Sequence, residues 1–592
     1  MNKKELVEKI NSLDALTVEE KSALIDLLKQ KKYGLVWENK PEDVEERLRA
    51  ELPVLKEVTG KALLKGGDDA PNHILIEGDN LEALTALTYT HENKIDVIYI
   101  DPPYNTGNKD FVYNDSFVDS EDGYRHSKWL SFMDKRLRIA KRLLSDRGVI
   151  FISIDDNEQA NLKLLCDELF GESNFITSIP RKGTGGRQDS KYYAIVHEYA
   201  LVYAKQLDKL VVGRVPKDDD TFKLFDAEKN NFYKTQLLRK WGDNSRRQDR
   251  PNLYYPIYFS PQTNTLNIIR QDEADIEIFP MLDKEKEGCW RWGKNTMQQG
   301  FDDGVVEVQY SKKKDEYIPY ERIYKPLEQG TKPFNTWIDD IDNSTGSALL
   351  KEIMGTDTFG YPKPVDYIKR LQKMSNANND YTILDFFAGS GTTLHATMQL
   401  NAEDGGHRKC ILVTNNENNI CEEVTYERNK RVINGYTTPK GEQVEGLKAN
   451  NLRYYQIDHV ERESSLTAKR KLMAASAELL CIKHDIYEES TTFGTLKLKP
   501  HIARYFTDGK KQMLVVYMVE AIERIVEEIQ AMPEDTNIMV YVFSTNNYAM
   551  DADFEDVADK VTLCALPAAI YNAYLKVLPK KGEPKQIIEE EF

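Results

Sequence analysis

"TILDFFAGSGTTLHATM" (residues 382–398) is the stretch whose reading decides the fold. An apolar run ends in Asp385, a turn holding Gly389 and Gly391 follows, and a run with helical spacing begins at Thr392. Glycine has no Cβ, so the backbone can turn tightly and admit a ligand to contact distance, with the next helix N-terminus supplying amide donors. A strand, an acid, a glycine turn and a helix in that order belong to a sheet that binds its ligand at the carboxyl ends of its strands. The following strand, "KCILVTNNE" (409–417), ends in Glu417, where an acid would accept hydrogen bonds from ribose hydroxyls. No lysine occupies the phosphate-loop position, and the glycine spacing is not that of a pyrophosphate fingerprint, so a nucleoside ligand is implied.

The same alternation runs upstream. "HILIEGD" (73–79) precedes a helical "NLEALTALTY" (80–89); "IDVIYI" (95–100) precedes a long amphipathic "KWLSFMDKRLRIAKRLL" (128–144); "GVIFISID" (148–155) precedes "NLKLLCDELFG" (161–171). Strands alternating with helices of this length predict an α/β fold, a doubly wound Rossmann-like sheet. The alternation lapses over 206–345, which is irregular and rich in Tyr, Trp, Arg and Pro, and resumes over 346–460, with "NLRYYQIDHV" (451–460) as its last strand. The expected organisation is therefore a helical segment over 1–70, one half of the main domain over 71–205, an inserted mixed domain over 206–345, the second half over 346–460 and an α/β addition over 461–592. The 1–70 segment carries a capping pair, Thr17 with Glu20, and leucines at helical spacing (Leu24, Leu27, Leu28), but too few large apolar residues for a core of its own, so a dimer contact is expected there.

With 592 residues, 40% hydrophobic and 30% charged, the chain is a soluble multidomain protein by composition. It has no run of 18 apolar residues, which argues against a membrane span. Its six cysteines lack C-x-x-C spacing, so neither a metal site nor a disulfide framework is indicated, and a cytoplasmic location is expected. The net charge of −17 counts against nucleic acid as a partner if averaged over the surface. The positive charge is concentrated, however. "RKWGDNSRRQDR" (239–250) holds Arg239, Lys240, Arg246, Arg247 and Arg250 against two acids, and "RKGTGGRQDSK" (181–191) and "SKKK" (311–314) are also basic. That is the pattern of a local phosphate-binding surface.

"YIDPPYNTGNKDF" (99–111) ends a buried strand on an acid, two prolines and an aromatic. Pro102 and Pro103 cannot continue a ladder and stiffen the turn, so Asp101 and the Pro102 carbonyl are held as acceptors with Tyr104 close behind. Acceptors facing an amino group, with a ring to stack on, suit a flat polar heterocycle.

"DPPYNTG" and "DFFAGSGTT", in that order, resemble the amino-group DNA methyltransferases whose catalytic motif precedes the cofactor motif, the beta class. "EGDNLEAL", "GVIFISIDDNE", "HEYALVYAK" and "FGYPKPVDYIKRL", with "RPNLYYPI" and "WRWGKNT" in the insert, are similar to the modification subunit of a Type III restriction–modification system over roughly residues 1–460. The resemblance implies S-adenosyl-methionine as cofactor and a base of double-stranded DNA as substrate. It implies Asp385, Phe387, Gly389, Gly391 and Thr392 on the methionine and ribose side, Glu417 at the ribose and Asp79 at the adenine edge, with Pro362, Lys363 and Pro364 beside the methionine moiety. Asp101, Pro102, Pro103 and Tyr104 would be catalytic, and the aspartate at 101 favours adenine N6, since relatives acting on cytosine N4 more often carry serine. The insert would read the DNA sequence, and a separate helicase-nuclease subunit would carry out cleavage. The alternatives are a solitary regulatory methyltransferase, a cytosine-N4 enzyme, or a catalytically silent DNA-binding scaffold.

Overall fold

The structure is a computed structural model that describes residues 37–578, apart from 68, 108–109, 115, 184–191, 218–220, 284, 327–329, 376–377, 463–464 and 545–547, together with isolated residues before 37. Most of the expected N-terminal helices, with Glu20, Leu24, Leu27 and Leu28, and most of the basic stretch 181–191 lie outside the described residues. Packing divides the chain into two compact units, residues 1–213 with 335–592, and residues 214–334.

The large unit is organised by nine strands in one sheet: β1 (Glu51–Glu57), β2 (Asn72–Glu77), β3 (Ile95–Ile100), β4 (Leu144–Ile154), β5 (Phe175–Lys182), β6 (His197–Ala204), β7 (Thr382–Asp385), β8 (Lys409–Thr414) and β9 (Asn451–Glu461). Their spatial order is β1-β9-β2-β8-β7-β3-β4-β6-β5. The six strands from β9 to β4 are mutually parallel, while β1 and β6 run against their neighbours. Strands covered on both faces need apolar residues at every position, which is why the central segments read as near-continuous hydrophobic runs. In β3, Ile98 and Ile100 face one core with helices α1 (Asn80–His91), α2 (Arg125–Leu143) and α3 (Gln159–Phe170). Val97 and Tyr99 point the other way, to a core with α4 (Val365–Ser375), α5 (Thr392–Asp404) and α6 (Glu427–Asn434).

The topology fixes where a ligand can sit. After β7 the chain moves to β8 on one side, and after β3 it moves to β4 on the other, so β7 and β3 are adjacent strands whose connections diverge. A crevice opens outside the carboxyl ends of such a pair. The glycine turn follows β7 and the Asp101 turn follows β3, so both motifs lie at this switch point.

Residues 461–592 share the large unit. Helix α7 (Leu466–His484) and one face of a five-stranded sheet (residues Phe506, Met513, Val515, Tyr541 and Leu566) belong to the same apolar core as α1 and α2. The opposite face has its own core around Ile522, Ile525, Ile529 and Phe554.

The small unit is β-rich rather than irregular. It has a four-stranded antiparallel sheet (Leu224–Asp226, Asn231–Leu237, Glu316–Tyr324, Val306–Ser311) and a three-stranded one (Thr265–Asn267, Ile257–Ser260, Ile276–Ile278), with the helix Lys294–Asp302. Leu238, Tyr255, Ile257, Trp290 and Met297 form its core. Its two ends pair as a short ribbon, Val215–Pro216 with Thr331–Lys332, so the chain enters and leaves at one place.

Candidate active site

The rim after β3 is built from both sides. Trp129 of α2, fully buried, donates its indole N–H to the Pro103 carbonyl at 2.7 Å, and Asn105, in the left-handed conformation at φ 57°, reaches the buried Glu158 carboxylate at 2.6 Å. Between these anchors Asp101 and Tyr104 face the crevice, both only partly buried.

Asp101 does not stand alone. Lys363, carried in on "YPKP" just before α4, places Nζ 2.9 Å from Asp101 Oδ1 and donates to the Tyr104 hydroxyl at 2.8 Å. The Tyr104 hydroxyl lies 3.0 Å from Asp101 Oδ1 and 2.9 Å from Glu198 Oε2, the latter on β6. Glu198 Oε2 is also 3.4 Å from Lys363 Nζ. Its other oxygen faces the fully buried Arg181 of β5 at 2.8 Å, an ion pair without hydrogen-bond alignment. Two carboxylates and two cations therefore share one desolvated cluster. Burial pulls the Lys363 ammonium down, but Asp101 and Glu198 outweigh it and hold its pKa above the ordinary value. Burial pushes Glu198 up, and Lys363 and Arg181 outweigh that in turn, keeping it below the usual carboxylate range. Burial and the two carboxylates push the Tyr104 phenol well up, so it stays a neutral donor.

The turn after β7 folds back on itself. Asp385, buried, accepts from the Phe387 N–H at 3.0 Å and the Thr393 hydroxyl at 2.5 Å, and burial, with a contribution from the Asp101 charge, pushes its carboxyl up to about 7. Gly389 (φ 49°) and Gly391 (φ 73°) both take the left-handed region. They differ in surroundings. A Cβ on Gly391 would lie 2.4 Å from Asn429 Nδ2, whereas one on the half-exposed Gly389 would meet only Phe359, at 3.3 Å. Thr392 is buried and takes a hydrogen bond from Arg428 at 2.7 Å. Phe387 is half-buried against Phe132, Pro364 is buried, and Glu417 is exposed at the start of a short helical turn after β8. Asp79 follows β2 and caps α1, accepting from the Leu81 N–H at 2.7 Å, with Arg136 at 3.6 Å.

The structure thus brings Asp101, Tyr104 and Lys363 into contact, with the Asp385 turn on the neighbouring strand end. Sequence reasoning missed Glu198, Arg181 and Arg428. Arg428 is fully buried, and among the described residues no carboxylate pairs with it; it donates to the Ser390 and Thr392 hydroxyls and the Ser390 carbonyl, and burial lowers its pKa to about 9.

In the small unit the five basic residues of 239–250 differ in state. Arg239 is buried, packed beside Leu238 with a guanidinium bond to the Met281 carbonyl, and Arg247 is paired with both Glu287 oxygens at 2.9 Å. Arg246 and Arg250 are exposed and Lys240 is half-buried. Lys312 and Lys313 are exposed in the turn between two strands.

A doubly wound sheet with a glycine turn and an Asp-Pro-Pro-Tyr rim on the two strands of its switch point defines a Rossmann-like methyltransferase. The sequence model described as DNA methylase matches residues 95–434, from the start of β3 to the end of α6, and the chain belongs to that family. It is 36% identical to the Type II methyltransferase M.KpnI of Klebsiella pneumoniae, over 62% of this chain and 87% of that protein. It is 34% identical to the Type III restriction-modification enzyme EcoPI Mod subunit of Escherichia phage P1, over 58% of each chain, and 34% identical to the StyLTI Mod subunit of Salmonella typhimurium, over 58% of this chain and 52% of that one. The match thus spans little more than half the length of either Mod subunit. Among solved structures it is similar to the PvuII DNA methyltransferase (cytosine-N4-specific), at 9% identity over 60% of this chain and 88% of that one, with a TM-score of 0.31. Among the described residues no helix is long and apolar enough to cross a membrane, and no group of three or more His, Cys, Asp or Glu is arranged to hold a metal ion.

Proposed function

We propose that the protein transfers a methyl group from S-adenosyl-methionine to N6 of an adenine flipped out of double-stranded DNA, as the modification and recognition subunit of a Type III restriction–modification system. The observation that carries this reading is the adjacency of the Asp101 rim and the Asp385 glycine turn on strands β3 and β7.

The residues present fit the cofactor. A half-exposed glycine in the left-handed region leaves room for a ligand at the turn, the buried Asp385 carboxyl beside it suits a cationic group, and the exposed Glu417 suits hydroxyls. Asp79, Lys363, Pro364 and Phe387 complete the same edge, with Gly391 and Thr392, packed against Asn429 and Arg428, shaping the turn behind it. When bound, S-adenosyl-methionine supplies an electrophilic methyl group. Asp101 and the Pro102 carbonyl accept the two N–H bonds of the target amino group, draw its nitrogen toward sp³ geometry and aim the lone pair. Pro103 keeps that rim rigid. Extracting the base costs a few kcal/mol, which stacking on the Tyr104 ring partly offsets. No cysteine nucleophile is needed for transfer to an amino nitrogen.

The small unit is the target-recognition domain in this reading, with Lys240, Arg246 and Arg250 on phosphates or guanine edges; the burial of Arg239 and the pairing of Arg247 make those two the weaker members of the set. The protein acts as a homodimer in the cytoplasm, alongside a separate helicase-nuclease subunit. The test is to incubate purified protein with S-adenosyl-methionine and a mixed-sequence plasmid and to map modified bases by single-molecule sequencing. N6-methyladenine at one repeated short sequence on one strand is expected; N4-methylcytosine, or no modified base, overturns the reading.

A further inference from the structure

Stacking on Tyr104 offsets only part of the cost of taking a base out of a duplex, and the gap left in the stack has still to be filled. The hairpin that joins β5 to β6 stands where such a gap would open. β4 runs parallel to β3, and β6 runs against β4 with Tyr199 opposite Ile154, so β6 begins at the edge where β3 and β4 end. Lys182 at the end of β5 pairs with His197 at the start of β6, and the connection between them therefore projects from the same edge as the Asp101 rim. Only β4 lies between β6 and β3 in the sheet.

The root of this hairpin is fixed. The Gly183 N–H donates to the Val196 carbonyl at 2.8 Å, and the Gly183 carbonyl accepts from the Asn343 N–H at 2.9 Å. Next to it, Arg181 and Glu198 are both buried and 2.8 Å apart, and Glu198 Oε2 accepts from the Tyr104 hydroxyl at 2.9 Å. The segment entering this root carries large apolar side chains in the open: Tyr193 is 92% exposed and Ile195 69%, with the exposed Ala194 between them. Adjacent exposed apolar side chains beside a site mark a contact surface. An extended chain spans at most about 3.6 Å per residue, which keeps Ile195 within about 11 Å and Tyr193 within about 18 Å of Glu198, in reach of a duplex whose base lies on the Tyr104 ring.

Ile195 has nothing to offer a phosphate, which takes cations and hydrogen-bond donors. The apolar part of a duplex is the inside of its stack, and that becomes accessible where a base has left. Isoleucine is among the side chains that proteins insert between base steps, and an aromatic ring stacks on the base it meets. We propose that Tyr193 and Ile195 form a wedge that enters the DNA at the position vacated by the target adenine and holds the stack open while the base lies on Tyr104. The inference rests on the methyl-transfer reading of the site and adds to it the surface that meets the rest of the duplex.

The test is the double variant Tyr193→Ala with Ile195→Ala, compared with the natural protein in single turnover on two duplexes carrying the mapped site. One has the target adenine paired, and the other has it mismatched, which lowers the cost of extraction. On the paired duplex methyl transfer should fall at least about 10-fold, and on the mismatched duplex the deficit should shrink to less than about 3-fold. Tyr193→Phe, which keeps the ring, should stay close to the natural rate. Affinity for S-adenosyl-methionine should be unchanged, since neither residue touches the glycine turn. An equal deficit on both duplexes, which is the signature of a lost backbone contact, overturns the wedge, and so does no deficit on either. A double variant whose oligomeric state without DNA differs from that of the natural protein in sedimentation assigns the patch to a contact between copies and also overturns it. A second measurement needs no variant: a crystal structure of the natural protein on its mapped duplex should show Tyr193 or Ile195 between the bases flanking the vacated position, and both side chains outside the stack beside a flipped base refute the proposal. If the natural protein methylates neither duplex, the methyl-transfer reading falls and takes this inference with it; if it methylates both and the variant deficits are equal, only the inference falls.

Discussion

Gly389 and Gly391 are two residues apart in one turn, yet their alanine variants should fail differently. Alanine at 391 must hold φ near 73°, a left-handed conformation that costs an L-residue about 1–2 kcal/mol. Its Cβ would also fall 2.4 Å from Asn429 Nδ2 and 3.0 Å from Thr425 Cγ2. Asn429 is fully buried and holds the Thr425 carbonyl at 2.8 Å, so it cannot yield without losing that bond, and overpacking of this kind adds roughly 1–3 kcal/mol. Gly391→Ala should therefore lose about 2–5 kcal/mol, localised where α5 meets α6. Alanine at 389 carries the left-handed cost but meets only the rim of Phe359 at 3.3 Å, so Gly389→Ala should lose about 1–2 kcal/mol. Because Gly389 is the half-exposed one, its Cβ should obstruct the cofactor instead. Thermal unfolding followed by tryptophan fluorescence, with calorimetric titration of S-adenosyl-methionine, separates the two. Gly391→Ala should show the larger drop in midpoint, and Gly389→Ala a smaller drop together with weakened cofactor binding. A Gly389→Ala protein that unfolds as early as Gly391→Ala refutes the assignment of Gly391 to packing and Gly389 to the ligand.

Tyr104→Ala should retain cofactor binding and lose methylation by at least about 10²-fold, since stacking and the hydroxyl both vanish while the glycine turn is untouched; unchanged turnover contradicts the role given to this ring. Cofactor binding should strengthen as pH rises from 6 to 8, because Asp385, with a pKa pushed up to about 7, is neutral below that value and an anion above it, and a cation prefers the anion. Calorimetry across that range checks the sign, and affinity that falls with pH is incompatible with Asp385 facing the cofactor. Arg246→Glu with Arg250→Glu should weaken DNA binding and reduce the salt slope by about 0.9 for each phosphate no longer neutralised, while cofactor affinity holds; an unchanged slope in fluorescence anisotropy removes both residues from the interface.

The features legible in the sequence are local ones. The strands around the site show as apolar runs because both faces of the sheet are covered, and the Asp101 and Gly389 turns show because proline and glycine impose backbone geometry wherever they occur. The strand Asn451–Glu461 is readable from its buried Leu452, Tyr454, Tyr455 and Val460, despite Arg453, Gln456 and Asp458 between them. Acids at strand ends are visible, but not what they do there: Asp79 and Asp385 spend hydrogen-bonding capacity on their own turns, and a cap and a ligand acid look alike in sequence. Arg239 sits in a basic run that reads as surface, yet it neighbours Leu238 in the core of the small unit. The pairing of Glu198 with Lys363 is out of reach, because it joins positions 165 residues apart in sequence, with the inserted unit between them, and no local pattern encodes such a contact.

The same geometry explains why a cation belongs at a site built to receive one. Asp101 and Asp385 stand at the ends of adjacent strands, close enough that the charge on Asp101 raises the pKa of Asp385. Lys363 compensates Asp101 within the protein, and Arg181 does the same for Glu198, so that cluster is balanced without any ligand. Asp385 has no such cation beside it among the described residues; its oxygens take only an amide and a hydroxyl. The uncompensated carboxyl lies on the glycine-turn side, and the compensated one on the side where a neutral base would enter. In the proposed reading, the cationic cofactor takes the strand whose carboxyl lacks an internal counter-charge, and the neutral nucleobase takes the strand whose carboxyl has one.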